Sequence, residues 1–445
     1  MKRYLLIPII LLFTACQEVG EHKPVLCNTK EKQPVIIVNK NRHLHMPEYW
    51  IDQLKTPDQV IMDAKEIDAF NAFTAQKQHM LTRFEDIGTQ YGSSWVKESI
   101  HRSLLGLSHG VKYFADGNRI DNRFFSTMQE YLSLDLLTDK SIDTRYALTV
   151  NYTHQRIIPT ELALLKKKDQ IHFDRNQNSA LDIATPLAIL HSTEDGQWHY
   201  GIGPTSSGWI KDSDIAFGTH KEIADYLDME NFLVTTSAKT ALLIAGRYHD
   251  YLRMGVRLPV LMTIDDMSMV MIPMRNEHGK LILGNATVKT ADTHKGYLPY
   301  TPRTILTQAF EFLHAPYGWG GMYGEQDCSK FLQEIYATTG LHLPRNSASQ
   351  SNAGEFQTVL EGLDSTTKSN ILAKSPIGAT IIHLDGHIVL YLGEYKGEPY
   401  IIHTVWGENG THFALGRTAV TPLSFNHYDR KIDVATQLIG NKSLL

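Results

Sequence analysis

The chain has 445 residues, 42% apolar and 20% charged, a composition that fits a soluble globular protein of two to four domains. A formal net charge of −5 excludes a basic field that would draw it to nucleic acid. Three cysteines, Cys16, Cys27 and Cys328, exclude a disulfide scaffold, and the 21 histidines are scattered rather than grouped as metal ligands.

The N-terminus reads as a targeting segment. Lys2 and Arg3 precede an apolar run, Tyr4 to Phe13, too short to span a bilayer as a helix. Small residues then lead into Cys16. Residues 17–44 are polar, hold Pro24 and Pro34, and read as a tether that contains Cys27, for which no role is assigned. Residues 45–140 carry helical apolar spacing, as at Ile61, Ala64, Ile67, Phe70 and Phe73, and are expected to be mostly helical.

Strand patterns follow. In residues 141–218, Pro186 to His191, Trp198 to Ile202 and Gly208 to Lys211 are short apolar runs separated by turn clusters such as Ser192 to Gln197, the pattern of a small barrel. Trp198 and Trp209 are expected to pack in its core. Residues 228–290 read as a second unit of this kind, with strands at Phe232, Leu242, Val256, Met269 and Lys280.

The chemistry lies in residues 303–440. Thr304 to His314 is expected to be an amphipathic helix. A Gly-rich aromatic loop, Ala315 to Asp327, runs into a second helix over Lys330 to Thr339. Cys328 stands at its mouth, where unpaired N–H groups and the helix dipole favour a thiolate. Asp327 is placed to cap that helix. His387 opens a strand after Gly386, and His403 lies on the next antiparallel strand, so the two rings are expected to meet. The assignment is Cys328 as nucleophile, His387 as base with a pKa near 6.5, and His403 as the group that orients it. No metal or cofactor is called for.

Tyr317-Gly-Trp-Gly-Gly321, Asp327-Cys-Ser329, Leu343-Pro-Arg345 with Gln350, Gly386-His-Ile-Val-Leu-Tyr-Leu-Gly393 and Ile402-His403 stand in the order of the NlpC/P60 cysteine peptidases, and the region resembles that family. One departure is Lys330, where the family has glycine. The resemblance implies a papain-like α+β fold behind two small SH3-like β-barrels and a helical region, an arrangement similar to the multidomain γ-D-glutamyl-L-diamino acid endopeptidases. Their substrates are peptidoglycan stem peptides or muropeptides, in several cases with a free N-terminal L-Ala. Carried over, Asp327, Ser329 and Ser347 would bind the ammonium group, and Tyr317 would help polarise the scissile carbonyl. The segment before Cys16 resembles a lipobox, with Phe13 departing from the usual Leu. It implies residues 1–16 as a lipoprotein signal, lipidation at Cys16, and a membrane-anchored protein of the bacterial cell envelope, on the outer membrane facing the periplasm.

Three rivals follow from the same residues. One is a murein hydrolase acting on intact crosslinked peptidoglycan. Another is a catalytically silent wall-binding lipoprotein. The third is a zinc hydrolase built on His383, Asp385, His387 and His403.

Overall fold

Six strands of the C-terminal third hydrogen-bond into one antiparallel sheet, in the order Phe356–Val359, Ile432–Gln437, Thr380–Leu384, His387–Tyr395, Glu398–Val405 and Arg417–Pro422. The computed structural model describes residues 41–407 and 415–440. Expectations for Cys16, Cys27 and most of the tether therefore lie outside the described residues. All elements discussed here belong to the unit His43–Leu445.

The central strands bury both faces, because alternate residues point to opposite sides. Ile381, Ile388, Leu390 and Ile402 join one core. Ile382, Val389, Tyr391 and Ile401 join the other. The first core is covered by two helices, Pro302–Glu311 and Cys328–Ala337. The second helix supplies Phe331, Leu332, Ile335 and Tyr336, all fully buried. That spacing puts one apolar stripe against the sheet. Each such side chain stabilises the packing by about 1.5–3 kcal/mol. The helix thus holds its first residue, Cys328, at a fixed place beside the strand His387–Tyr395.

Two further sheets of seven strands precede this one. The first runs Gln177–Leu181, Thr153–Arg156, Ser207–Lys211, Trp198–Ile202, Pro186–Ser192, Arg145–Thr149, Ile215–Gly218. Trp209 is fully buried in it and Trp198 nearly so. The second runs Arg247–Arg253, Lys239–Ile244, Leu281–Lys289, Met267–Arg275, Arg257–Ile264, Phe232–Thr235, Thr293–Lys295. It extends past residue 290, the expected boundary.

The region 45–140 is helical in part, with Ala64–Ala72, Ser93–Ser108 and Asn122–Tyr131 as its longer α-helices. Ile61 and Phe73 fall outside the α-helix that their spacing suggested. Its apolar residues divide between two cores. Trp50, Met62, Ile67 and Phe70 pack with the peptidase-like core. Val96, Ile100, Leu104 and Leu132 pack with Trp198 and Trp209 of the first barrel.

The barrels hold the glycine loop in place. Gly320 and Gly321 have φ of +62° and +85°. A Cβ on Gly320 would sit 2.6 Å from Gln177 Cγ, and one on Gly321 would sit 2.6 Å from Ala180 Cβ. Only glycine gives both the conformation and the approach. The Tyr152 hydroxyl donates to the Gly321 carbonyl, and Gln177 Nε2 donates to the Gly320 carbonyl at 2.9 Å.

Candidate active site

Cys328 is the first residue of its helix and 9% exposed. The Ile388 backbone lies near enough to the thiol to favour the thiolate. Ile388 directly follows His387, so the nucleophile candidate and the base candidate are brought to one place. His387 Nε2 lies 2.8 Å from His403 Nδ1. The register explains this: Leu390 pairs with Ile402, so position 389 faces 403 and His387 reaches His403 along the diagonal. His403 is fully buried, and its Nε2 lies 3.1 Å from Thr421 Oγ1. Tyr428 packs against both imidazoles, with centroids at 5.7 and 5.8 Å.

The resting protonation differs from the expectation. Burial, and then the Asp327 carboxylate, push the thiol up to about 12. Burial pushes His387 down to about 4, not near 6.5, and holds His403 well below the ordinary imidazole value. Desolvation disfavours each charged form and here outweighs the helix terminus. At neutral pH the site therefore rests as a neutral thiol beside a neutral imidazole.

Asp327 caps the helix, as its position suggested: Oδ1 accepts from the Lys330 N–H at 2.9 Å. It has a second partner that the sequence reading did not assign. Arg345 grips it from Nη1 to Oδ1 at 3.2 Å and from Nη2 to Oδ2 at 2.7 Å. Burial raises the carboxyl, but Arg345 and the N–H donors override it and hold it below the usual range. Ser329 donates to Asp327 Oδ1 at 3.1 Å and accepts from Arg345 at 2.9 Å. Two of the three residues expected to bind an ammonium are thus engaged with a guanidinium. Ser347 opens the short helix Ser347–Gln350, half-buried, with no hydrogen bond to its hydroxyl among the described residues. Gln350 Nε2 ties Ser329 and Pro344 together through their carbonyls, at 2.9 and 2.8 Å.

Tyr317 lies within electrostatic range of Asp327, Cys328, Arg345 and Arg175, and burial raises its hydroxyl far above the ordinary phenol. Its ring belongs to a half-exposed aromatic wall with Phe173, Trp319 and Trp406. Phe173 and Trp406 escaped the sequence reading. The signal available for Trp406 was its place just past His403 in the same strand run. Trp319 does pack, and its Nε1 also donates to the Asp174 carbonyl at 3.0 Å.

Lys330, the departure from the family pattern, docks the helix on the barrel. Its Nζ lies 3.5 Å from Asp182 and 3.7 Å from Glu334. Cys16 lies outside the described residues. His383 turns to Asp433, with Nδ1 at 2.7 Å from Oδ1. Among the described residues no group of three or more His, Cys, Asp or Glu side chains is placed to hold a metal. His383, Asp385, His387 and His403 therefore do not form the four-ligand set of the zinc rival.

Comparison with known proteins bears on the fold. A model described as an SH3 domain of the SH3b1 type matches residues 163–211. The NlpC/P60 family model matches residues 314–412. An NlpC/P60 endopeptidase from Photobacterium damselae subsp. piscicida has a similar structure, with a TM-score of 0.72 and 20% identity over 88% of this chain and 96% of that one. An NlpC/P60 family protein from Bacillus cereus ATCC 10987 matches with a TM-score of 0.45 and 19% identity, over 59% of this chain and 82% of that one. A search of the curated proteins finds no match. Fold, motif order and family models agree: the chain carries an NlpC/P60 family domain behind a bacterial SH3 domain, in a mixed α+β architecture.

Proposed function

We propose that this protein is a cell-wall peptide hydrolase that cuts the γ-D-glutamyl–diamino acid bond of peptidoglycan stem peptides with Cys328 as nucleophile. The observation that carries the reading is that His387 meets His403 at 2.8 Å while the residue after it, Ile388, bears on the Cys328 thiol. As the thiol attacks the γ-glutamyl carbonyl, its proton passes to His387. His403 holds that ring in one orientation while charge develops on it. The Tyr317 hydroxyl and the Cys328 N–H donate to the carbonyl oxygen as it becomes an oxyanion. His387 returns the proton to the leaving amine, and water then hydrolyses the thioester. The similar Photobacterium protein is called an endopeptidase, which agrees with this class.

The preferred substrate has a free N-terminal L-Ala, whose ammonium meets Asp327, Ser329 and Ser347. One observation favours a second reading. Arg345 already neutralises Asp327, which weakens the pull on an ammonium. On that reading the enzyme also accepts intact crosslinked peptidoglycan. Comparing a free-amine tripeptide with its N-acetylated form separates the two: equal rates discard the amine requirement. The protein is further proposed to be anchored through Cys16 to the outer membrane, facing the periplasm. Palmitate labelling that survives Cys16→Ser would contradict this.

A further inference from the structure

Arg175 is a half-buried cation without an ion-pair partner among the described residues. It comes from the first barrel, in the loop before the strand Gln177–Leu181. That loop is rigidly held: the Arg175 N–H donates to the Leu164 carbonyl at 2.8 Å, and the neighbouring Asp174 carbonyl takes the Trp319 indole. The guanidinium carbon lies 4.8 Å from the Trp319 ring centroid. Its Nε is buried and meets no acceptor among the described residues. None of the ion pairs among the described residues includes it. Lys112, near enough to feel it, also feels Lys166, so nearby charge is positive. A buried donor without an acceptor, on a cation without an anion, is costly unless a ligand completes it.

Trp319 and Tyr317 both meet the Phe173 ring, with centroids at 5.4 and 6.2 Å, and the Gly320 N–H, next to Trp319, donates at 3.1 Å to Asp327 beside Cys328, so the missing anion would lie along the loop that leads to the nucleophile candidate. In a γ-linked glutamyl residue the side-chain carboxyl forms the scissile amide and the α-carboxyl stays free, a few bonds away. We propose that Arg175 and the face of Trp319 form a carboxylate subsite for that free α-carboxylate. The subsite rests on the peptidase reading above. Guanidinium and carboxylate match in charge and in planar geometry.

The test uses the full chain in detergent and three forms of L-Ala-γ-D-Glu-meso-diaminopimelate: unmodified, amidated at the glutamyl α-carboxyl, and amidated on the diamino acid carboxyl. Glutamyl amidation should lower kcat/KM about 10- to 10²-fold, and diamino acid amidation far less. In Arg175→Gln the penalty for glutamyl amidation should nearly vanish, and in Arg175→Lys part of it should return. Indifference of the wild type to glutamyl amidation, or an undiminished preference in Arg175→Gln, overturns the subsite. A penalty confined to the diamino acid carboxyl also overturns it. Absence of turnover on every peptide counts against the peptidase reading instead. Binding of L-Ala-γ-D-Glu to Cys328→Ala then decides the subsite: loss of affinity on adding Arg175→Gln supports it, and equal or no affinity overturns it.

Discussion

Arg345 and Asp327 form a two-pronged ion pair directly beneath the nucleophile candidate, with both carboxylate oxygens engaged. Asp327 simultaneously caps the helix that starts at Cys328. One carboxylate therefore fixes the thiol's place and raises its pKa. Replacing Arg345 by Met would leave a buried charge without its partner. Loss of one partner of a buried pair costs about 3–5 kcal/mol. Chemical denaturation should show a drop of that size. A change under about 1 kcal/mol would mean that water or another donor compensates.

The Asp182 carboxylate is a three-way joint. It lies 2.5 Å from Arg253 Nε of the second barrel and 3.5 Å from Lys330 Nζ of the helix Cys328–Ala337, while belonging itself to the first barrel's edge. Asp182→Ala would leave the buried Arg253 with only Asp250, at 3.6 Å, and the half-buried Lys330 with only Glu334, at 3.7 Å. Limited proteolysis should then cut between barrels and peptidase domain faster than in the wild type. Unchanged proteolysis would show that apolar packing alone holds the joint.

Rate should depend on pH in an unusual way. The proposed base must be neutral to take the thiol proton, and His387 is held down to about 4 by burial. The acid limb of kcat/KM is expected well below 6.5, with a plateau through neutral pH. A limb at 6.5 or above would show an exposed imidazole.

Stability should follow the same residues with a definite sign. Unfolded, His387 and His403 titrate near 6.5; folded, both titrate lower. Between the two values the unfolded chain binds more protons. The contribution of these rings is thus full above pH 6.5 and is lost as pH falls toward the folded values. His387→Gln together with His403→Gln should flatten that part of the stability curve. An undiminished slope would assign it to other groups.

Much of the peptidase region was legible because its residues follow simple periods. Trp198–Ile202 and the start of the strand at His387 fall where alternation and turns put them, and the diagonal from His387 to His403 follows from strand adjacency. Other features had no local signal. The strand Arg247–Arg253 is polar and mostly exposed at a sheet edge, so neither period nor apolar content marks it. The helical region 45–140 looked like a domain because helical spacing says nothing of which core a stripe joins. Arg345 sat inside a recognised motif without a role. A buried Asp at a helix start needs a counter-charge, and that rule could have pointed to it. The thiol was expected below its ordinary value and the imidazole near 6.5, because burial, which moves the first up and the second down, is not a property of sequence.

The most direct test of the account is hydrolysis of L-Ala-γ-D-Glu-meso-diaminopimelate by the full chain in detergent, beside Cys328→Ala and His403→Ala. The account predicts release of the diamino acid by the wild type, abolition by thiol alkylation and by Cys328→Ala, and a loss of at least about 10²-fold in kcat for His403→Ala. Cleavage that survives Cys328→Ala, or that a chelator stops and an alkylating agent does not, would contradict it.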